Sequence, residues 1–248
     1  MSVPGSPAAV LTGRVAVVLG ATGWIGTGIS RYLLQAGANV VIVSRDRERL
    51  ARLEQSLGDE HRVLATTADV TSQLDVDDVR AAALERFGHI DLVLVLAGVI
   101  TGSAFEDGVP ADWAEMTDVN LRGVLHSAQT FAMPLLDAAE QGRPADLVLL
   151  GAVTEESHEP RFAVFNAVSA AITQLGRTLR DEYGGRGLRV HVLAPEFPRV
   201  ADSDPRRGRE DAPVTPESLA AVVTLAASLP VGVNLAEAVL RPTRVAHS

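Results

Sequence analysis

The sequence lacks two residue types that often carry chemistry. All 22 basic residues are arginine, so there is no lysine, and there is no cysteine. Without cysteine there can be no disulfide, no thiolate metal site and no cysteine nucleophile, which fits a reducing cytoplasm. Tyrosine is scarce as well, since Tyr32 and Tyr183 are the only two. Lysine chemistry is therefore excluded, and tyrosine chemistry is restricted to two positions.

A surplus of positive charge is also missing. The formal net charge at pH 7 is −9, and the arginines are spread among acidic residues. Such a chain repels phosphate backbones and anionic membrane surfaces, so we expect neither nucleic acid nor a membrane as a partner. No apolar run is long enough to span a bilayer, and residues 1–9 lack the basic start and apolar core of a secretory signal. We therefore predict a cytoplasmic protein that acts on a small molecule.

The hydrophobic residues, 47% of 248, are enough for one large domain with a buried core. Short β-branched runs alternate with longer amphipathic segments, which is typical of βαβ units around a parallel sheet. We predict strands at 15–19, 39–44, 62–65, 91–97, 146–150, 188–193 and 237–240. Helices are predicted at 25–35, 47–57, 74–87, 111–136, 161–183 and 216–227.

The run from Leu92 to Leu96 is apolar without alternation, which indicates burial on both faces of the sheet. The predicted fold is therefore α/β, a doubly wound, Rossmann-type parallel sheet of about seven strands with helices on both faces. It forms a single domain over residues 12–248, after an N-terminal extension of residues 1–11. Residues 195–213 are rich in charge and proline, and we predict that they form a substrate loop.

A glycine-rich turn opens the first predicted helix. A turn of this kind lets the backbone approach a pyrophosphate, whose charge is favoured by the N–H groups at the helix start. A tight turn without a ligand is the alternative, but the position between a strand and a helix favours binding. The predicted cofactor-binding residues of this turn are Gly20, Thr22, Gly23, Trp24, Ile25 and Gly26.

The second predicted strand ends at Ser44 and Arg45. A guanidinium here suits a 2′-phosphate, where an acidic residue would instead hold ribose hydroxyls. This favours NADP(H) over NAD(H) as the cofactor. The alternative is that Arg45 is a solvated residue, like Arg47, Arg49 and Arg52 after it.

Taken in order, these elements resemble the short-chain dehydrogenase/reductase family across essentially the whole chain. Asp69-Val70 is similar to the family's adenine-contacting Asp-Val, and Ala97-Gly98 to the end of its Asn-Asn-Ala-Gly. Residues 113–123 are similar to its fourth-helix signature, in which Asn120 falls on the structural asparagine. The resemblance implies cofactor contacts from Asp69, Val70, Ala97, Gly98 and Pro195, the last standing in the family's Pro-Gly.

The departures from the family pattern fall on its chemistry. By this resemblance Ala152 stands on the position of the catalytic serine, Phe165 on the tyrosine and Ser169 on the lysine. Phe165 and Ser169 are four residues apart, on one helical face. A general acid such as the missing tyrosine contributes a factor of about 10²–10⁴ to the reaction rate. The resemblance therefore implies that the usual proton relay is lost, while Asn120 remains as a candidate catalytic residue.

The loop at residues 153–161 is a candidate for replacement chemistry. It precedes the helix of Phe165, and in this fold it passes the substrate pocket at the carboxyl edge of the sheet. A histidine side chain ordinarily changes its charge near neutral pH, so His158 and Glu156 are a candidate acid/base pair. The alternative is a solvated polar loop, which is how charge runs are usually found. No metal is predicted, because the acidic residues and His158 have no recognised ligand spacing.

Three functions remain open at this stage. The favoured one is an NADP(H)-dependent ketoreductase acting on a small ketone, such as an aromatic, polyketide-like one, with the proton supplied by substrate, water or His158. The second is a non-redox cyclase, dehydratase or isomerase that uses the 153–161 loop. The third is a catalytically silent subunit that pairs with an active homologue.

The resemblance also implies assembly through the long fourth and fifth helices. A homodimer or homotetramer is expected, or a heteromer with an active homologue. The small residues at 167–171 suit close helix packing between subunits, although an intramolecular face explains them equally well.

Overall fold

The computed structural model describes residues 10–152, 160–196 and 214–243. Within them, seven strands form one sheet in the order β3-β2-β1-β4-β5-β6-β7, and every neighbouring pair is parallel. The order reverses between β1 and β4, which creates a crevice at the carboxyl ends of these strands. The strands are β1 Val15–Leu19, β2 Asn39–Ser44, β3 Val63–Thr67, β4 Leu92–Val95, β5 Ala145–Leu150, β6 Leu188–Pro195 and β7 Glu237–Leu240.

In the described residues, seven α-helices connect and flank the strands: α1 Trp24–Gln35, α2 Arg47–Leu57, α3 Gln73–Phe87, α4 Pro110–Thr117, α5 Gly123–Glu140, α6 Ala163–Tyr183 and α7 Pro216–Ser228. The prediction of one helix over residues 111–136 was wrong. A π-helical turn, Asp118–Arg122, divides that segment into α4 and α5, and α5 continues to Glu140. None of the helices in the described part of the chain is both long and apolar enough to cross a membrane.

Apolar side chains are packed on both faces of the sheet. Along β1, Ala16 and Val18 belong to one core cluster, and Val17 and Leu19 belong to the other. All five β1 residues are buried, because helices cover both sides of the strand. The predicted doubly wound fold is therefore confirmed. Leu11 is also buried in the first cluster, so core packing includes a residue of the predicted N-terminal extension.

A cluster of buried charges joins the amino ends of the central strands. Arg14 donates through Nε to Asp91 Oδ1 at 2.7 Å and through Nη2 to Asp146 Oδ2 at 2.6 Å. Arg189 donates twice to Asp146, at 2.7 and 2.8 Å, and His191 Nε2 lies 2.8 Å from the same carboxylate. Burial raises the pKa of Asp146 most strongly, but hydrogen bonds from His191 and Arg189 and the charge of Arg14 leave it below its ordinary value. This cluster lies at the edge of the sheet opposite the crevice.

Candidate functional site

The turn between β1 and α1 can be built only with glycine at two positions. Gly20 has a φ of +88°, and a Cβ there would stand 2.5 Å from the backbone nitrogen of Ala97. A Cβ on Gly26 would overlap the carbonyl oxygen of Gly20. Gly20 N donates to Val43 O at 3.0 Å, and Gly23 N donates to Gly20 O at 3.1 Å. The turn is therefore packed closely against the end of β2 and the segment after β4, and Gly20 and Gly23 also line the cavities at the crevice.

The first turn of α1 has no side-chain cap. Its N-cap is Gly23, which makes no side-chain hydrogen bond, whereas Asp46 caps α2 and Ser72 caps α3. The N–H groups at the start of a helix need acceptors, and together with the helix dipole they favour an anion. The start of α1 thus suits a phosphate group.

Two cavities meet at this turn. The first, here called the polar cavity, has a volume of about 360 Å³ and is lined by the end of β2 and by residues 68–70, which follow β3. The second, called the apolar cavity, has a volume of about 350 Å³ and lies between the turn and α6. Both are lined by Gly20, Gly23 and residues 96–99, so they form one groove across the crevice. Such a groove has the layout of a site for a two-part ligand.

The polar cavity collects hydroxyl and guanidinium groups. Thr22 Oγ1 lies 2.7 Å from Ser44 Oγ, and both residues line the cavity. Arg45 lines it as well, and its Nη2 pairs with Glu115 Oε1 at 3.4 Å. Arg49, which sequence reasoning left as a solvated residue, donates through Nη2 to Thr22 O at 3.0 Å. Arg49 lies in the first turn of α2, four residues after Arg45, so that both residues line the same end of the groove.

The remaining wall of the polar cavity is formed by Asp69, Val70 and Val119. Asp69 Oδ1 accepts from Thr71 N at 2.9 Å and from Thr71 Oγ1 at 2.7 Å. Asp69 N donates to Asp75 Oδ2 at 2.9 Å. This backbone hydrogen bond, followed by one from the Ser72 hydroxyl, lowers the pKa of Asp75. These hydrogen bonds thus hold the Asp69-Val70 turn in one conformation at the wall of the cavity.

Asn120, predicted as a catalytic residue, uses both polar side-chain atoms on one neighbour. Its Oδ1 accepts from Val99 N and its Nδ2 donates to Val99 O, each at 2.8 Å. The residue lies in the π-helical turn between α4 and α5 and lines the apolar cavity. In this arrangement Asn120 positions the segment that follows β4.

The apolar cavity is bounded on one side by α6. Phe165 and Ser169 both line it, and Ser169 is only 5% exposed. The lining also includes Trp24, Ile25, Gly26, Ile100, Leu150, Val168 and Ile172. None of the described residues that line this cavity is titratable, and its polar side chains are those of Trp24, Asn120 and Ser169.

Two predicted site residues are not among the described residues that line the groove. Ala152 is buried just after the end of β5, and Pro195 ends β6, where it pairs with Leu240. Neither belongs to the described lining of the two cavities. Glu156 and His158 lie outside the described residues, as does the predicted substrate loop from residue 197. These assignments remain predictions.

The chain after the 153–159 segment packs on the loop that follows β4. Ser103 N donates to Arg161 O at 2.9 Å. The ring of Phe162 lies so close to Gly102 that a Cβ there would stand 2.6 Å from it. The start of α6 is thereby attached to the loop after β4, which Asn120 also contacts. These two walls of the apolar cavity, the loop and α6, therefore support each other.

Comparisons with known proteins agree with this geometry. A family model described as short chain dehydrogenase matches residues 14–207. An uncharacterized oxidoreductase of Staphylococcus epidermidis is 32% identical over 229 residues, which cover 92% of this chain and 97% of the relative. A metagenomic short-chain oxidoreductase solved with NADP is 25% identical, with a TM-score of 0.80 over 95% of this chain and 100% of that one. The 3-ketoacyl-(acyl-carrier-protein) reductase of Brucella melitensis, solved with NADH, is 27% identical, with a TM-score of 0.79 over 92% and 97%.

Proposed function

This chain belongs to the short-chain dehydrogenase family, and on that basis we propose that it binds NADP(H) and reduces a small ketone without a tyrosine proton donor. The observation that carries the proposal is the groove itself. One end brings together Arg45, Arg49 and two hydroxyl groups, and the other end is apolar and reaches Phe165.

The residues of the polar cavity fit the adenosine half of NADP(H). The glycine turn and the start of α1 would hold the pyrophosphate, and Asp69 and Val70 would contact the adenine. Arg45 and Arg49 would bind the 2′-phosphate, because a planar guanidinium pairs well with phosphate oxygens. Structures of similar proteins with NADP and with NADH support a nicotinamide cofactor, and the two arginines favour the phosphorylated form. Ala97, Gly98 and Pro195 are proposed for the nicotinamide half.

At the apolar end, Ala152, Phe165 and Ser169 are proposed to stand where the family carries serine, tyrosine and lysine. When bound, NADPH supplies a hydride, and a proton must reach the carbonyl oxygen from elsewhere. Phe165 carries no proton to donate, and Ser169 brings no positive charge. The proton would therefore come from water, from His158 or from the substrate itself.

The lining of the apolar cavity indicates the class of substrate. Side chains of Ile100, Leu150, Phe165, Val168 and Ile172 surround it. Pockets of this kind recognise apolar and aromatic groups, while a few polar groups fix the orientation. A small aromatic ketone with its own acidic hydroxyl, of the polyketide type, suits both the lining and the need for a proton.

Two other functions stay open, and each has its own observation. A catalytically silent subunit, paired with an active homologue, fits a cavity whose described lining has no titratable group. A non-redox cyclase, dehydratase or isomerase fits if Glu156 and His158 act on the substrate. We also propose that the protein is cytoplasmic and that it forms a homodimer or homotetramer, unless it is the partner of an active homologue.

Nucleotide binding can be measured with the protein's own fluorescence. Its two tryptophans are Trp24, which lines the apolar cavity, and Trp113, which stacks on Phe105 at 5.3 Å. A Trp113→Phe variant therefore leaves Trp24 as the single reporter for titration with NADPH and NADH. If neither nucleotide binds at millimolar concentration, with calorimetry of the unmodified protein agreeing, the proposal is wrong.

Turnover then separates the three functions. Protein and NADPH are mixed with a panel of aromatic ketones, and absorbance and product mass are followed. The proposal expects product with equivalent loss of NADPH. Product formed equally well without nucleotide establishes the non-redox alternative. NADPH binding without turnover, in a protein that co-purifies with a homologue containing tyrosine and lysine, establishes the silent subunit.

A further inference from the structure

One ion pair joins the two sides of the polar cavity. Arg45 directly follows β2, and Glu115 lies in α4, 70 positions later. Arg45 Nη2 lies 3.4 Å from Glu115 Oε1, and the two side chains are 59% and 51% exposed. The pair is thus formed in open solvent at the rim of the cavity.

The position of Glu115 on its helix brings it to this rim. Val119 follows Glu115 by about one helical turn and forms the wall of the polar cavity together with Val70. Residues four apart lie on the same side of a helix. Arg45 lines the cavity, so its ion pair with Glu115 places the Glu115 carboxylate next to this end of the groove.

We propose that Glu115 is a specificity-determining residue that weakens the preference for NADP(H) over NAD(H) by holding the Arg45 guanidinium. The inference rests on the proposed function, since it assumes that a 2′-phosphate binds at Arg45. To bind that phosphate, Arg45 must exchange a carboxylate for it. Glu115 is then left as an unpaired negative charge beside a second one. NAD(H) carries a hydroxyl at this position, so the exchange is not required.

Arg49 provides an internal contrast. Its Nη2 is held by the carbonyl oxygen of Thr22 at 3.0 Å, which is a neutral acceptor. When Arg49 turns to a phosphate, no negative charge is left behind. The two arginines at the same end of the groove therefore differ in what their binding to phosphate costs, and only Arg45 is opposed by a carboxylate that the structure places on it.

The expected size of the effect follows from the exposure of the pair. Exposed ion pairs are weak. Removing the competing carboxylate of such a pair therefore corresponds to a factor of about two to five in affinity for NADPH. Because both side chains are more than half exposed, the effect also shrinks as salt is added.

The test is Glu115→Gln, which keeps the shape of the side chain and removes its charge. We expect NADPH to bind about two- to fivefold more tightly and NADH to change less than about twofold. Dissociation constants are measured at low and at high salt. The matched control is Asp118→Asn, which removes a carboxylate from the next helical turn. Asp118 pairs with Arg122 at 2.8 Å, so its loss should leave the ratio of the two constants unchanged.

Arg45→Ala, alone and together with Glu115→Gln, completes a double-mutant cycle. In the Arg45→Ala background, Glu115→Gln should no longer raise the affinity for NADPH by more than Asp118→Asn does. The guanidinium for which Glu115 and the 2′-phosphate compete is then absent. If Glu115→Gln changes both nucleotides equally, or matches Asp118→Asn, or has no effect while the unmodified protein binds NADPH, the inference is overturned and the proposed function stands. If the unmodified protein binds neither nucleotide, the proposed function fails and the inference fails with it.

Discussion

Phe165 and Ser169 lie four residues apart on α6 and line the same apolar cavity. The spacing and the shared face are those of a Tyr-x-x-x-Lys pair, but neither side chain can act as an acid or carry a charge. If the proposed correspondence with the family's tyrosine and lysine is right, substitution at these positions should supply the missing reactive groups.

The first prediction is a gain of activity. The triple variant Ala152→Ser, Phe165→Tyr and Ser169→Lys should reduce aromatic ketones with NADPH faster than the parent, by about 10²–10⁴ if the parent lacks a general acid. The measurement is the rate of NADPH oxidation with product mass. Phe165→Tyr alone is the control and should give less. A triple variant that keeps its melting temperature and NADPH affinity without becoming faster contradicts the assignment of these positions.

The second prediction concerns Asn120. Asn120→Asp replaces the Nδ2 donor to Val99 O by a second acceptor, so we expect unfolding to become easier by about 1–3 kcal/mol and NADPH to bind more weakly. Denaturant titration and nucleotide binding measure the two effects. The control is Asn234→Asp, because Asn234 Nδ2 donates to Val190 O at 3.1 Å in β6. It should lose stability but keep nucleotide affinity. Equal losses of affinity in both variants would argue against a positioning role for Asn120.

The third prediction tests the glycine turn. Gly26→Ala places a Cβ against the carbonyl oxygen of Gly20, so the glycine turn must move away from the first turn of α1. NADPH and NADH should both bind at least about tenfold more weakly, since both would use the same turn for the pyrophosphate. Gly185→Ala is the control, because a Cβ at Gly185 meets nothing within 4 Å. Unchanged affinity in the Gly26 variant would remove the pyrophosphate from this turn.

The fourth prediction concerns the buried charges at the opposite edge of the sheet. Asp146→Asn takes the charge from a fully buried carboxylate that Arg14 and Arg189 both contact. Breaking a buried ion pair on one side costs about 3–5 kcal/mol, because the remaining charges stay buried. Denaturant titration should show this loss, while nucleotide affinity of the folded protein stays unchanged. A loss no larger than that of Asp59→Asn, whose pair with Arg62 is partly exposed, would show that the cluster contributes little.

The fifth prediction is a pH dependence from Asp75, whose folded pKa is lowered by the N–H of Asp69 and the hydroxyl of Ser72. A lowered folded pKa means that the folded state favours the ionised carboxyl. Its contribution to stability is therefore complete above the unfolded pKa, about 3.9, and is lost as the pH falls through the folded value. The difference in unfolding free energy between the parent and Asp75→Asn should shrink between pH 6 and pH 2.5. A difference that stays constant over this range contradicts the assignment.

Most element boundaries could be predicted because they depend on local patterns. The predicted strands 15–19, 39–44 and 237–240 and the helix 47–57 match the structure residue for residue. The helix over 111–136 was wrong because a π-helical turn has no signal in hydrophobic spacing. That turn is stabilised by the contact of Asn120 with Val99, 21 positions away. The contact of His191 with Asp146, 45 positions away, likewise has no signal in the local sequence pattern.

The sequence by itself determined the doubly wound sheet and the absence of lysine chemistry, because local periodicity and residue types decide these, and the resemblance of its motifs indicated the family. The tertiary structure alone decided that Arg49 reaches Thr22, that Glu115 meets Arg45, and that the described lining of the apolar cavity is free of titratable groups. These are relations between side chains that are far apart along the chain. They arise only when the sheet order and the helix packing bring those side chains to one edge.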